Sequence, residues 1–162
     1  MVVMSMDQST RKSGYAVFIN SEYYCSGVVD KSKSDLDTDA RSFEMAKDLW
    51  KVIKKYKPDV LILENVQQQT SVSTVITLAR LAGMIIGYAE AHGVKTYILG
   101  PSQWRKALSY RQGSQVKRKD LKQQSYDYVK ENYGFVRSED ENEAIAICAA
   151  AHKIYEFEIW GE

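Results

Sequence analysis

The sequence predicts a mixed α/β domain on a five-stranded sheet. Three observations carry that expectation. Three short apolar segments open the chain as a meander, and only "NSE" separates the second from the third, which suits a hairpin. Two more apolar strands follow, each after a long helical pattern, as strand–helix–strand crossovers require. Further helical segments then close the chain.

The elements follow in order. "MVVMSMD" reads as a short buried strand ending at Asp7, and "QSTRKSG" as a loop. "YAVFIN" and "EYYCSGVVD" are the second and third strands, and "DKSKSDLDTD" is a polar loop. "ARSFEMAKDLWKVIKKYK" has Phe43, Ala46, Leu49, Trp50 and Ile53 at helical spacing with lysines opposite, and Pro58 stops it. Val60 to Leu63 are four consecutive apolar residues, a buried fourth strand that meets Glu64. "VSTVITLARLAGMIIGYAEAHG" is a long helix ending at Gly93, and "VKTYILG" is the fifth strand. Pro101 suits the first turn of a short helix, "PSQWRKAL". After the loop "SYRQGSQ", a basic helix runs from about Lys117 to Asn132, and a last helix from near Ser138 to about Tyr155. Right-handed crossovers place strands one, four and five side by side.

Composition sets the bounds. A chain of 162 residues suggests one domain, residues 1–162, and 44% hydrophobic residues suffice for a core. With 27% charged residues and a net charge of +1, overall charge decides nothing about a nucleic-acid partner; its distribution must. Cys25 and Cys148 lie far apart, which points to free thiols in a reducing cytosol, with Cys148 packed. His92 and His152, without a cysteine cluster, give no zinc spacing. "MVVMSMDQ" lacks the basic start of a signal peptide. "VITLARLAGMIIGYAEA" contains Arg80 and Glu90 and reads as too short and too interrupted to cross a bilayer.

The chemistry lies in the carboxylates. If strands one and four are parallel neighbours, Asp7 and Glu64 end at the same edge of the sheet, where open α/β sheets place their sites. The last helix opens with "SEDENEA". Ser138 and Glu141 form a capping-box pattern, and Glu139 and Glu141 suit the helix dipole. Asp140 and Glu143 instead share a face that continues through Ala144, Ile147 and Ala151, so they crown the surface packed on the sheet. Desolvation and mutual repulsion would push protons onto some of four such acids, and a divalent cation removes that cost. Hard oxygen ligands favour Mg²⁺, with Mn²⁺ as substitute, over zinc. A pair of such ions, about 4 Å apart, assists phosphodiester hydrolysis.

Positive charge gathers after the fifth strand. Arg105, Lys106, Arg111, Lys117, Arg118, Lys119 and Lys122 stand against one acid, Asp120. Such a segment holds a polyanion, whereas a lone lysine run is commonly a solvated helix face. "NVQQQTSVST" after Glu64 offers amides and hydroxyls to phosphate or base edges, or is simply a polar loop.

"MSMDQSTRKSGYAVF", "DVLILENVQQQ", "LARLAGMIIGYAEAHGVKTYILGPSQWRKAL" and "DENEAIAICAAAHK" together resemble RuvC-type Holliday junction resolvases, in motif order over nearly the whole chain, with the length of a phage-type member. The resemblance implies an RNase H-like fold, a homodimer and Mg²⁺-dependent nicking of two strands of a four-way DNA junction in a bacterial cytoplasm. It places the family's acids on Asp7, Glu64, Asp140 and Glu143, as metal ligands and catalytic groups. The last is usually Asp, sometimes His; Glu143 is one methylene longer. DNA contacts fall on Arg105 and Lys106 and within Lys117, Arg118 and Lys119. Relatives often carry an aromatic where this chain has Gln67, which removes a stacking ring worth roughly 1–3 kcal/mol.

Other readings use the same residues. Another RNase H-fold nuclease, acting on RNA or forked DNA, would need the same acids. A non-catalytic DNA-structure binder would gain nothing from acids facing phosphates. An actin-like phosphotransferase is loosely echoed by "DQSTRKSG", but Ser9 stands where that phosphate loop uses glycine.

Overall fold

Strand pleating sorts the core into two halves. In the computed structural model, which describes residues 1–67 and 71–155, Val3 faces one side of a sheet while Met4 and Met6 face the other. The strands are β1 (Val2–Asp7), β2 (Lys12–Ile19), β3 (Glu22–Asp30), β4 (Val60–Glu64) and β5 (Lys95–Leu99). Their order is β3-β2-β1-β4-β5. β1–β2 and β2–β3 are antiparallel, and β1–β4 and β4–β5 parallel, as expected of a meander beside two crossovers.

The helices α1 (Thr38–Tyr56), α2 (Val72–Ala91), α3 (Pro101–Ala107), α4 (Arg118–Tyr133) and α5 (Glu139–Ile154) cover both faces. Met4, Met6, Val17, Leu61 and Leu63 meet Met45, Leu49 and Ile53 of α1 and Leu81, Ile85 and Ala89 of α2. On the opposite face, Val3, Ala16, Phe18, Val60 and Ile62 meet Trp104 of α3, Val129 of α4 and the fully buried Ala144 to Ala151 stretch of α5. The run of small residues lets α5 lie close to the sheet. Ser5 Oγ, buried between them, donates to the Ala144 carbonyl at 2.7 Å.

Four sequence expectations are corrected. β2 begins at Lys12 rather than Tyr15, because the polar "KSG" pairs with Val28 to Asp30 of β3. Phe43 is exposed; the buried face of α1 is Ser42, Met45, Ala46, Leu49 and Ile53, with Phe43 rotated off its edge. On α2, Ala82 does not lie outward as its place among the small residues of the helix suggests: it is half-buried, whereas Ala79, Gly83 and Gly87 are exposed. Finally, α2 is 20 residues long and apolar enough to cross a membrane by length and composition. Here Leu81, Ile85 and Ala89 pack on the sheet, and Arg80 and Glu90 lie on the outer face.

Candidate active site

Register and pleat bring the first two acids together. Met6 pairs with Leu63, so Asp7 and Glu64 stand one step further along neighbouring parallel strands. Asp7 follows Val3 and Ser5, and Glu64 follows Val60 and Ile62, so both carboxylates point to the α5 side. There the N-terminus of α5 supplies Asp140 and Glu143. All four line one cavity of about 610 Å³, with Gln8, Arg11, Lys12, Gln67, Arg105 and Arg118 on its walls.

The remaining acids of α5 are structural. Glu141 accepts from Ser138 Oγ at 2.6 Å and from Ser26 Oγ of β3 at 2.8 Å, capping the helix and fastening it to the sheet. Glu139 pairs with Lys122 of α4. Asn142 bonds both the N–H and the C=O of Arg137, which fixes the chain entering α5.

The approach of α5 depends on a residue that the sequence reading left in a loop. Gly14 pairs with Asp7 across β1–β2, and a Cβ there would collide with the Asp140 carbonyl. The missing side chain lets Asp140 reach Asp7.

The electrostatics are those of crowded acids. Burial pushes the Asp7 carboxyl well above its ordinary value, and the charges of Glu143, Glu64 and Asp140 push it further. Asp7 and Glu143 face each other closely enough for a hydrogen bond between the two carboxyl groups, which favours the protonated form of Asp7. Burial also raises Glu143, opposed by the nearby Lys122 ammonium. Glu64 is raised by burial and restrained by a hydrogen bond from Trp104 and by the charges of Arg105 and Arg118. Trp104 Nε1 lies 2.7 Å from Glu64 Oε1, and Arg105 Nη2 lies 3.7 Å from the same oxygen. Gln8 Nε2 donates to the Glu64 carbonyl at 2.5 Å.

The donor set suits a hard divalent cation, which would relieve the burial and repulsion that raise the Asp7 carboxyl. As the side chains lie, no three acidic, histidine or cysteine groups among the described residues close on a single point. Asp7 faces Glu143, and one oxygen of Glu64 is turned to Trp104 and Arg105.

The structure separates the expected basic residues. Arg105 and Arg118 line the cavity, and exposed Gln67 stands at its rim. Lys106, Lys117 and Lys119 are exposed and lie off its wall. Gln68, Gln69 and Thr70 of the amide-rich segment lie outside the described residues. Sequence reading missed Gln8, Arg11, Gly14 and Trp104, and gave Lys122 no place at the site. The motif "SG" before an apolar run was a signal for Gly14; a tryptophan in an amphipathic helix looks like core and gave no signal for its N–H.

Comparison with known proteins adds an independent line. A model of the family described as crossover junction endodeoxyribonuclease RuvC matches residues 3–149. The crossover junction endodeoxyribonuclease RuvC of Corynebacterium glutamicum is 28% identical over 111 residues, 66% of this chain and 50% of that protein. That of Pseudarthrobacter chlorophenolicus is 33% identical over 83 residues, 51% of this chain and 43% of that protein. The chain thus spans about half the length of the curated relatives it matches. Thermus thermophilus RuvC in complex with a Holliday junction substrate superimposes with a TM-score of 0.76 at 19% identity, covering 99% of this chain and 97% of that one. Yeast mitochondrial Holliday junction resolvase superimposes at 0.58 with 15% identity, over 93% of this chain and 77% of that one. These likenesses establish the RNase H-like arrangement of the five-stranded sheet and its flanking helices. With the family match running from the first strand into the last helix, this chain belongs to the crossover junction endodeoxyribonuclease RuvC family.

Proposed function

We propose that the chain is a single nuclease domain that resolves four-way or related branched DNA junctions by divalent-metal-dependent hydrolysis of phosphodiesters, in the compartment that holds the DNA. One observation carries this reading: Asp7, Glu64, Asp140 and Glu143, from three separate elements, line one cavity beside Arg105 and Arg118. A structural role explains Glu139 and Glu141 but leaves these four as a cost to the fold.

In this reading Asp7, Glu64, Asp140 and Glu143 hold Mg²⁺, for which Mn²⁺ substitutes. When bound, the ions activate water and stabilise the leaving oxygen. Asp7 would serve as an ionised ligand, and Glu143 would serve as a further ligand or accept the proton of the attacking water. Arg105 and Arg118 offset the acids and hold the phosphate, while Lys106, Lys117 and Lys119, further out, follow the DNA backbone. Gln67 has no stacking ring, so selectivity rests on backbone geometry rather than on a base stacked at the junction centre. A four-way junction has near two-fold symmetry, and paired nicks call for two copies of the chain about a C2 axis. The exposed stripe of Val72, Ile76, Ala79, Gly83 and Gly87 on α2 suits that contact.

The test compares wild type and Asp7→Asn on a synthetic four-way junction, a flap, a fork and an RNA–DNA hybrid, with and without Mg²⁺. Paired, Mg²⁺-dependent nicks in the junction, absent in Asp7→Asn, are expected. Preferred cleavage of the hybrid or fork would replace this reading with another RNase H-fold nuclease, and binding without cleavage would make the chain a binder.

A further inference from the structure

Trp104 is 1% exposed, and its ring stands edge-on to Tyr110, with centroids 5.5 Å apart at 73°. It lies in the core formed by the sheet and α5, and cannot swing without opening that core. Indole has a single polar group, a donor, and here it is spent on Glu64 Oε1 at 2.7 Å. Arg105 lies over the indole, its guanidinium carbon 4.9 Å from the ring centroid, and reaches the same oxygen at 3.7 Å. Both Trp104 and Arg105 meet the carboxylate at Oε1 rather than Oε2. On the main-chain side, Gln8 holds the Glu64 carbonyl, and the next residue, Asn65, donates to Leu99 at 2.8 Å. The carboxylate is thus held at its backbone and at one oxygen.

We propose that Trp104 is a positioning residue: its buried indole N–H holds Oε1 of Glu64 and leaves Oε2 as the oxygen offered to a divalent cation. The inference rests on the reading of Glu64 as a ligand. A donor from the core sets the carboxylate's orientation before any ion binds and keeps Arg105 from drawing it into a closed ion pair. Arg105 is then left to face phosphate. Groups that orient ligands in this way typically change metal affinity or activity by roughly 10–100-fold when removed.

The experiment replaces Trp104 by Phe, which removes the N–H, and separately by 3-benzothienylalanine, which keeps the indole shape and exchanges N–H for sulfur. Mn²⁺ binding to the metal-free full chain is measured by isothermal titration calorimetry, and junction nicking is followed across Mn²⁺ concentration. Both variants are expected to bind Mn²⁺ about 10–100-fold more weakly. Their nicking at limiting Mn²⁺ is lost and returns at high Mn²⁺, while the benzothienyl protein melts within a few degrees of wild type without metal. Wild-type affinity and metal dependence in the benzothienyl protein would overturn the inference, and that variant decides the matter if Trp104→Phe does not fold. Glu64→Gln is titrated alongside. If Glu64→Gln binds Mn²⁺ as wild type does, or wild type binds none, the ligand reading itself fails and the inference with it. Weak binding by Glu64→Gln with normal binding by the benzothienyl protein removes the role of Trp104 alone.

Discussion

Gly14 of β2 lies against the main chain of Asp140 of α5: a Cβ on Gly14 would fall well inside 3.0 Å of the Asp140 carbonyl. Gly14 is also the strand partner of Asp7. One hydrogen atom in place of a methyl therefore sets the distance between two candidate ligands from opposite ends of the chain. The obstacle is backbone, which cannot rotate aside, so Gly14→Ala must lift the α5 N-terminus or bend β2. We expect a loss of about 1–3 kcal/mol in stability, as for overpacked cores. We expect a fall in junction cleavage of about 100-fold, because misplacement near 1 Å costs that much. Thermal melts and single-turnover nicking measure the two. Normal cleavage by a stably folded Gly14→Ala would show that the approach of Asp140 to Asp7 is not needed.

Asp7→Asn and Glu64→Gln should abolish cleavage while junction binding persists or tightens, because removing negative charge does not weaken attraction to phosphate. A gel shift with both variants and the wild type decides it; loss of binding in both would mean that the acids are structural.

The raised pKa of Asp7 makes a separate, metal-free prediction. Its folded value lies above its unfolded one, so between the two the native state keeps a proton that the unfolded chain gives up. Stability therefore falls as pH rises from the ordinary aspartate range through the folded value. Asp7→Asn removes that linkage. The variant should melt higher than wild type at neutral pH, by about 2–4 °C per kcal/mol relieved, and the advantage should vanish below about pH 4. Added Mg²⁺ should stabilise wild type, by about 2.7 kcal/mol at a hundred times Kd, and leave Asp7→Asn unmoved. Equal melting points across the pH range would mean that Asp7 is not strained.

Much of this was legible because strands and helices announce themselves by period. The apolar runs of β1 and β4, each ending in an acid, put Asp7 and Glu64 at one edge of the sheet, and the pair Asp140 and Glu143 fell on the packed side of α5 by helical spacing alone. What stayed hidden depends on the meeting of residues distant in sequence. Trp104 lies 40 residues from Glu64, and nothing local distinguishes an indole that bonds a carboxylate from one that only packs. Gly14 and Asp140 meet only because β2 and α5 cross. Phe43 misled because a helix face is assigned by its most apolar residues, and Met45 with the small Ser42 and Ala46 made the better fit to the sheet.

The basic residues should now separate by function. Arg118 lines the cavity and its charge is felt by Glu64, whereas Lys117 and Lys119 are exposed and do not line it. Changing all three to Ala should flatten the dependence of log K on log salt by about 0.9 for each phosphate that is no longer neutralised. Arg118→Ala alone should also slow cleavage of bound junction, and the double change Lys117→Ala with Lys119→Ala should weaken binding without that slowing. Filter binding across a salt series and single-turnover rates test both halves; an unchanged slope in the triple variant would leave these side chains facing solvent only.

The dimer prediction rests on the outer face of α2. Val72 is 75% exposed and Ile76 45%, and a Cβ on Gly83 or Gly87 meets nothing within 4 Å in the single chain. This stripe of apolar and small residues allows a helix of a second copy to approach closely. Gly83→Arg is the sharper probe than a charge at the half-buried Ala82. In the monomer it fits open space, and exchanging Gly for a good helix former should stabilise α2 by up to about 1 kcal/mol. Loss of the dimer in this variant then could not be blamed on unfolding. We expect wild type to sediment as a dimer at micromolar concentration and Gly83→Arg as a monomer of equal or higher melting temperature. On a plasmid carrying an extruded cruciform, wild type should give linear product from paired cuts, and Gly83→Arg nicked circles from unpaired ones. A monomeric wild type with and without junction, or linear product from a monomeric Gly83→Arg, would show that paired cleavage does not depend on this face.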